Sequence, residues 1–238
     1  MRLYIETVIR ADLEELWQAT QDPALHQRWD LRFGRIQPLP STGPRRFRYS
    51  TFGISGVGVS TGDRDSAGGR TSALRFGSSH PLSPIRSGSG YWRYLPTESG
   101  VRFLTSYGYR PQVLPTRLMW WATAWSFDRL RLWLETGRTP ERALLQALAE
   151  AATRTAATAL TAWLLGPLPA LAVLALALAL PPLPGTPAAR RCLRRPVNQL
   201  KERSCPRSSS VRSAPPTPAS TPSSSAASPS ASTAARRA

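Results

Sequence analysis

Apolar and polar residues alternate at the start of the chain. Leu3, Ile5, Thr7 and Ile9 fall on one side, and Tyr4, Glu6, Val8 and Arg10 on the other. A period of two predicts a strand. The period then lengthens in "ADLEELWQAT", where Asp12 and Glu15 form a capping-box pattern and Leu13, Leu16 and Trp17 share a face. A second short helix is predicted at "PALHQRW", with Asp22 as cap and Pro23 at the first helical position. Alternation resumes over 31–38, 45–52, 54–62, 69–77, 90–96 and 100–110. Turn-rich "PSTGP", "DRDSAGG" and "SPIRSGSG" interrupt these runs. Such a sheet has one wet face and one covered face.

The stretch "RLMWWATAWSFDRLRLWL" at 117–134 follows, with four of the eight tryptophans and no glycine or proline. Apolar residues ring most of this helix, leaving Asp128, Arg131 and Glu135 as a narrow polar stripe. Gly137 is its natural stop. The order strand, two short helices, six strands and one long helix predicts an α+β fold. Its curved antiparallel sheet of about seven strands wraps the long helix, and the short helices close one end. The sheet would cover the tryptophans, and a lined cavity is the usual by-product of such a grip.

The strand with "ADLEELWQATQDPALHQRWDLRF" at 5–33, then "RTSALRF", "GSGYWRYLPTESGVRFLTSYGY" and "TAWSFDRLRLWLETGRTPE", resembles the SRPBCC superfamily over residues 1–141. That superfamily has the helix-grip fold of START domains, the birch-pollen allergen and aromatic polyketide cyclases. The chain is most similar to uncharacterised actinobacterial members. The resemblance implies a cavity for a hydrophobic ligand without naming a ligand or a reaction.

Charge alters the picture mainly at the C-terminus. The formal net charge is +17, from 31 Lys+Arg against 14 Asp+Glu. Ten of the cations lie beyond Pro181 against one anion, Glu202. The tail has no interleaved aromatics, which argues against nucleic acid as its partner. The two cysteines, Cys192 and Cys205, have neither disulfide-framework nor zinc spacing. Acidic residues near the N-terminus occupy positions where a secretion signal needs an apolar run, which predicts a cytoplasmic N-terminal domain.

The candidate chemistry is sparse. His26 and Asp30 are four apart on the second short helix and share a face. At a cavity mouth they could act as an acid–base pair, the alternative being a surface helix with Trp29 packed inward. His80 falls in a turn, and Asp128 with Arg131, or Arg129, reads as structural pairing. Trp29, Tyr91, Trp92, Tyr94, Tyr107, Tyr109, Trp121 and Trp125 are the candidate ligand contacts, with core packing as the competing reading. No nucleotide-loop, GxSxG or HExxH pattern is present, so neither cofactor nor metal is expected and enzyme status stays open.

Residues 156–180, "AATALTAWLLGPLPALAVLALALAL", carry no charge. This length exceeds the ~20 residues needed to cross a bilayer core. "RRCLRR" follows soon after, so a single crossing would conflict with the positive-inside tendency. A kinked re-entrant segment would satisfy both constraints, whereas a full transmembrane hairpin needs more apolar length. The expected organisation is a helix-grip domain over 1–141, an apolar membrane-associated segment over 142–183, and a basic Ser/Pro/Ala-rich disordered tail over 184–238. Three functions follow in order: a lipophile binder at the membrane, a cyclase-like enzyme, and a nucleic-acid-binding tail. Oligomeric state is left open.

Overall fold

The structure is a computed structural model that describes residues 2–66, 68–111 and 116–196. The part of the tail from 197 onward, with Lys201 and Cys205, lies outside the described residues.

Seven strands form one antiparallel sheet in the order β1-β7-β6-β5-β4-β3-β2. They are β1 (Arg2–Ile9), β2 (Arg35–Leu39), β3 (Arg46–Thr51), β4 (Ile54–Ser66), β5 (Gly69–Gly77), β6 (Ile85–Thr97) and β7 (Gly100–Pro111). Closure of β1 onto β7, the last strand, follows from apolar alternation: Leu3, Ile5 and Ile9 are buried, and Ile5 pairs with Thr105. A register shift between Ser60 and Gly62 bends β4, as bulges do. Gly90 lets β6 approach closely, since a Cβ there would lie 2.1 Å from the Tyr107 ring and 2.4 Å from the Ser106 carbonyl.

The short helices α1 (Leu13–Gln21) and α2 (Pro23–Trp29) close one end. Asp12 caps α1 by accepting from the Glu14 N–H at 2.7 Å, and Asp22 caps α2 through Ala24 at 2.7 Å. Such caps contribute about 1 kcal/mol each. The long helix α3 (Thr116–Thr136) lies across the concave face of the sheet, packed on β1, and ends at Gly137 with φ +68°. The expected order of elements holds, but β4 runs on to Ser66 and β6 begins at Ile85, so "DRDS" and "IRSGSG", read as turn-rich, are strand.

Beyond α3 the structure departs from that expectation in two ways. The uncharged stretch is not one continuous span: α4 (Pro140–Leu165) ends at Gly166, whose φ is +88°, and α5 (Pro167–Ala179) runs back beside it. Among the described residues no helix is long and apolar enough to cross a membrane. A transmembrane helix, which the length of the uncharged stretch allowed, is therefore corrected to a short helical hairpin, because glycine followed by two prolines turns the chain midway.

The second departure concerns the boundary at 184. Residues 186–189 and Cys192, assigned by composition to the tail, are buried against α3. Glu6 of β1 exchanges backbone hydrogen bonds with Leu193, at 2.9 and 2.8 Å. The anchor is Asp128, fully buried, which accepts from the Ala188 N–H at 2.8 Å, Arg191 at 2.9 Å and Arg131 at 2.8 Å. Arg131 also reaches Glu135 at 2.8 Å, so the polar stripe of α3 is one network. The Cys192 thiol donates to the Ala124 carbonyl at 3.3 Å. Burial, with Asp128 nearby, pushes that thiol up to about 12, which leaves it unreactive.

Candidate functional site

Six of the eight aromatic candidates belong to the buried core: Trp29, Trp92, Tyr94, Tyr107, Tyr109 and Trp125. The space there is occupied by rings: Phe103 stacks on Phe127 at 4.5 Å, and Trp29 meets Phe127 at 6.1 Å and Trp92 at 6.2 Å. Two of the polar atoms in this layer are paired, whereas the buried Trp92 indole nitrogen has no hydrogen-bond partner among the described residues. The Trp29 indole donates to the Ala19 carbonyl at 2.9 Å, and the Tyr94 hydroxyl meets Thr20 at 2.7 Å. Tyr91 lies on the opposite face of β6 and is part-exposed.

His26 and Asp30 do come together, with Nε2 and Oδ2 3.2 Å apart. Asp30 is also engaged by Arg32 through both oxygens, at 2.9 and 2.6 Å. The His26 ring stacks on Trp29 at 4.9 Å, with Trp92 and Phe33 edges at 5.0 and 5.1 Å. Burial drives the His26 pKa down, outweighing the opposing pull of Asp30, so the ring is held neutral. For Asp30, burial alone would raise the carboxyl, yet Arg32 and His26 together hold it well below the usual range. The ion pair inside an aromatic box is thus satisfied by its own neighbours.

Trp121, 44% exposed, and the buried Trp125 stack with their rings 6.2 Å apart. They line a groove of about 570 Å³ between α3, α4 and the returning chain. Leu144, Ala147, Leu148 and Ala151 of α4 form the second wall, and Pro187, Ala188 and Ala189 the floor. Arg154, Arg190 and Arg194 stand at its edge with Glu150. Arg129 stiffens the base: its guanidinium donates to the Pro140 carbonyl at 2.8 Å and lies 5.6 Å from the Trp125 ring. Arg28 joins α2 to α4 through two hydrogen bonds to Glu141, at 2.9 and 3.0 Å. Spacing in "RALLQALAEA" places Leu144, Ala147, Leu148 and Ala151 on one helix face. That signal was present in the sequence, but its partner surface was not.

No family model matches the chain. The uncharacterized membrane protein YndG of Bacillus subtilis (strain 168) is 43% identical over 165 residues, covering 61% of this chain and 62% of that protein. The chain therefore spans less than two thirds of that curated relative. Among solved structures, the solution structure of the Aha1 dimer from Colwellia psychrerythraea superposes with a TM-score of 0.44 at 13% identity, over 58% of this chain and 98% of that one. The crystal structure of Ara h 8.0201 gives 0.40 at 13% identity, over 50% and 85%. The observed element order and sheet topology decide the architecture. This is a helix-grip fold. Its grip is the one the SRPBCC resemblance implies, with a groove on the outer side of the gripped helix.

Proposed function

We propose that this helix-grip protein binds a lipophilic small molecule in the groove between α3 and α4, at a membrane surface. The observation that carries the reading is the pairing of Trp121 and Trp125 against the Leu144–Leu148 wall, an apolar slot open at one side. Its volume lies within the ~300–1,000 Å³ range of small-molecule sites. Arginines at the edge would suit a ligand with an acidic end. Membrane association draws support from the apolar hairpin and from the likeness to YndG, described as a membrane protein of Bacillus subtilis.

The test is native mass spectrometry of the full chain with long-chain fatty acids and polyaromatic probes, joined to tryptophan quenching. Retention of one probe class, with quenching that saturates, is expected. No retention and no quenching by either class would remove the reading.

The cyclase-like alternative rests on the 3.2 Å contact between His26 and Asp30. Arg32 already occupies the carboxylate and rings enclose the imidazole, so the pair is assigned to holding α2 against the sheet. Loss of polyketide cyclisation in a folded His26→Ala variant would reverse that assignment.

A further inference from the structure

The α4–α5 hairpin is uncharged from Thr155 to Leu180, and its apolar side chains point outward on every side. Trp163 is 81% exposed, Leu168 79% and Leu178 78%, with Leu160, Leu164, Leu165, Leu171 and Leu176 also open. The seam between the two helices is built instead from small or short residues, Thr158 and Thr161 against Ala170, Val173 and Ala177. Small residues inside and leucines outside is the arrangement of helices packed in lipid. A second protein copy would cover one side of such a hairpin and leave the other in water.

Two further details concern polar groups, which lipid cannot satisfy. The hydroxyls of Thr155, Thr158 and Thr161 each donate to the carbonyl four residues back, at 2.8–2.9 Å. At the tip, Pro167 and Pro169 sit in the first turn of α5, where two backbone N–H groups would otherwise lack partners. Gly166 donates its own N–H to Ala162 at 3.1 Å.

Length and charge then set the depth. Arg154 closes the foot of the hairpin: its guanidinium hydrogen-bonds Ala177, donates to the Leu180 and Pro181 carbonyls at 3.0 Å, and pairs with Glu150 at 2.5 Å. From this foot to Leu165 the helix rises about 16–18 Å at roughly 1.5 Å per residue. Half of a hydrocarbon core is about 15 Å. Both legs return to the same body, α4 through Arg129 and Arg28, and the chain after α5 through Asp128 and Glu6. Arg190 and Arg194 are exposed and line the same groove edge as Arg154, so they stand near that level with their cations open to anionic headgroups.

We infer that the hairpin inserts into a single leaflet of an anionic bilayer and stops near its midplane, with the helix-grip domain and residues 184–196 on the same side. This deepens the membrane part of the proposed function and is independent of any ligand in the groove. A chain that binds vesicles but retains no lipophile would separate the two.

The experiment adds the full chain to preformed phosphatidylcholine–phosphatidylglycerol vesicles and follows flotation. Wild type is expected to float, and the W163D/L168D variant to lose roughly a hundredfold or more in partitioning, since an acidic residue at bilayer depth costs ~2.5–3.5 kcal/mol. Both positions are exposed, so an unchanged circular dichroism spectrum and melting temperature confirm that the variant is folded. A fluorophore on L165C, in a C205S background, should be quenched more by mid-chain than by headgroup-proximal spin-labelled lipid. A cysteine at R195C should react fully with an impermeant maleimide added outside. Failure of wild type to float, or equal flotation of the variant, overturns the inference. So does stronger shallow quenching, which means a hairpin lying flat, or protection of R195C, which means a crossing.

Discussion

The helix α3 and the hairpin α4–α5 are both strongly apolar, and the fold treats them in opposite ways. Ala124, Phe127 and Leu130 of α3 have no exposed surface, while Trp163, Leu168 and Leu178 of the hairpin are almost bare. The difference lies in shape and polar content. On α3, Asp128, Arg131 and Glu135 break the apolar ring, and the side chains are large enough to fill a curved sheet. The hairpin has no such stripe, and its leucines offer little relief to interlock with a sheet. Apolar content marks a segment for removal from water; what does the removing depends on the surfaces available.

That contrast can be broken most decisively in the core. Trp29→Ala should cost about 3–5 kcal/mol in urea unfolding, because it deletes a fully buried indole and strands the Ala19 carbonyl. Trp163→Ala should change the same measurement by less than about 0.5 kcal/mol. Equal costs for the two would mean that the hairpin is covered by protein after all.

A smaller effect is expected at the joint between the two regions. Asp128→Asn removes the charge that gathers Ala188, Arg131 and Arg191. Hydrogen bonds to charged groups are each worth about 1.5–3 kcal/mol. A destabilisation of about 2–3 kcal/mol is expected, with faster trypsin cleavage at Arg190 and Arg191. Unchanged cleavage would show that the returning chain is held without this carboxylate.

At the groove, Trp121→Ala should weaken a retained lipophile by roughly tenfold, as expected for losing part of one aromatic face. Trp121 is 44% exposed, so global stability should barely move. Weakening that tracks loss of fold instead would place the ligand elsewhere.

The smallest effect is pH dependence from His26. Burial lowers its folded pKa, so above the unfolded value of ~6.5 both states are neutral and stability is at its full level. As the pH falls below ~6.5 the unfolded chain takes up a proton that the native state refuses, and stability declines. Asp30, also depressed in the fold, adds its loss only below the ordinary carboxylate value of ~3.9. Between pH ~7 and ~5.5 the wild type should therefore lose up to about 1 kcal/mol. His26→Gln should flatten that interval in a urea titration, and an unchanged slope would exclude His26 as its source.

The site was less legible than the scaffold. His26, Trp29 and Asp30 announced themselves by type and spacing, but their roles turned on the clamp from Arg32 and on the rings of Trp92 and Phe127, brought from β6 and α3. Trp121 and Trp125 were visible as bulk, whereas the wall they face comes from α4 and the chain beyond 186. Helical spacing can assign a residue to a face; it carries no record of which distant segment lies opposite.

Local chemistry determined the elements themselves. Alternation set the strands, Asp12 and Asp22 started the short helices, and Gly137 ended α3, since each acts on backbone within a turn of itself. Even the bend at Gly166–Pro167 was written locally, although a sum of hydrophobicity over 156–180 conceals it. Tertiary structure alone decided that residues 186–193 return to α3 rather than trail away, because a basic, proline-rich stretch has no intrinsic order. It becomes ordered where the fully buried Asp128 accepts from Ala188 and Arg191 and β1 pairs with Leu193.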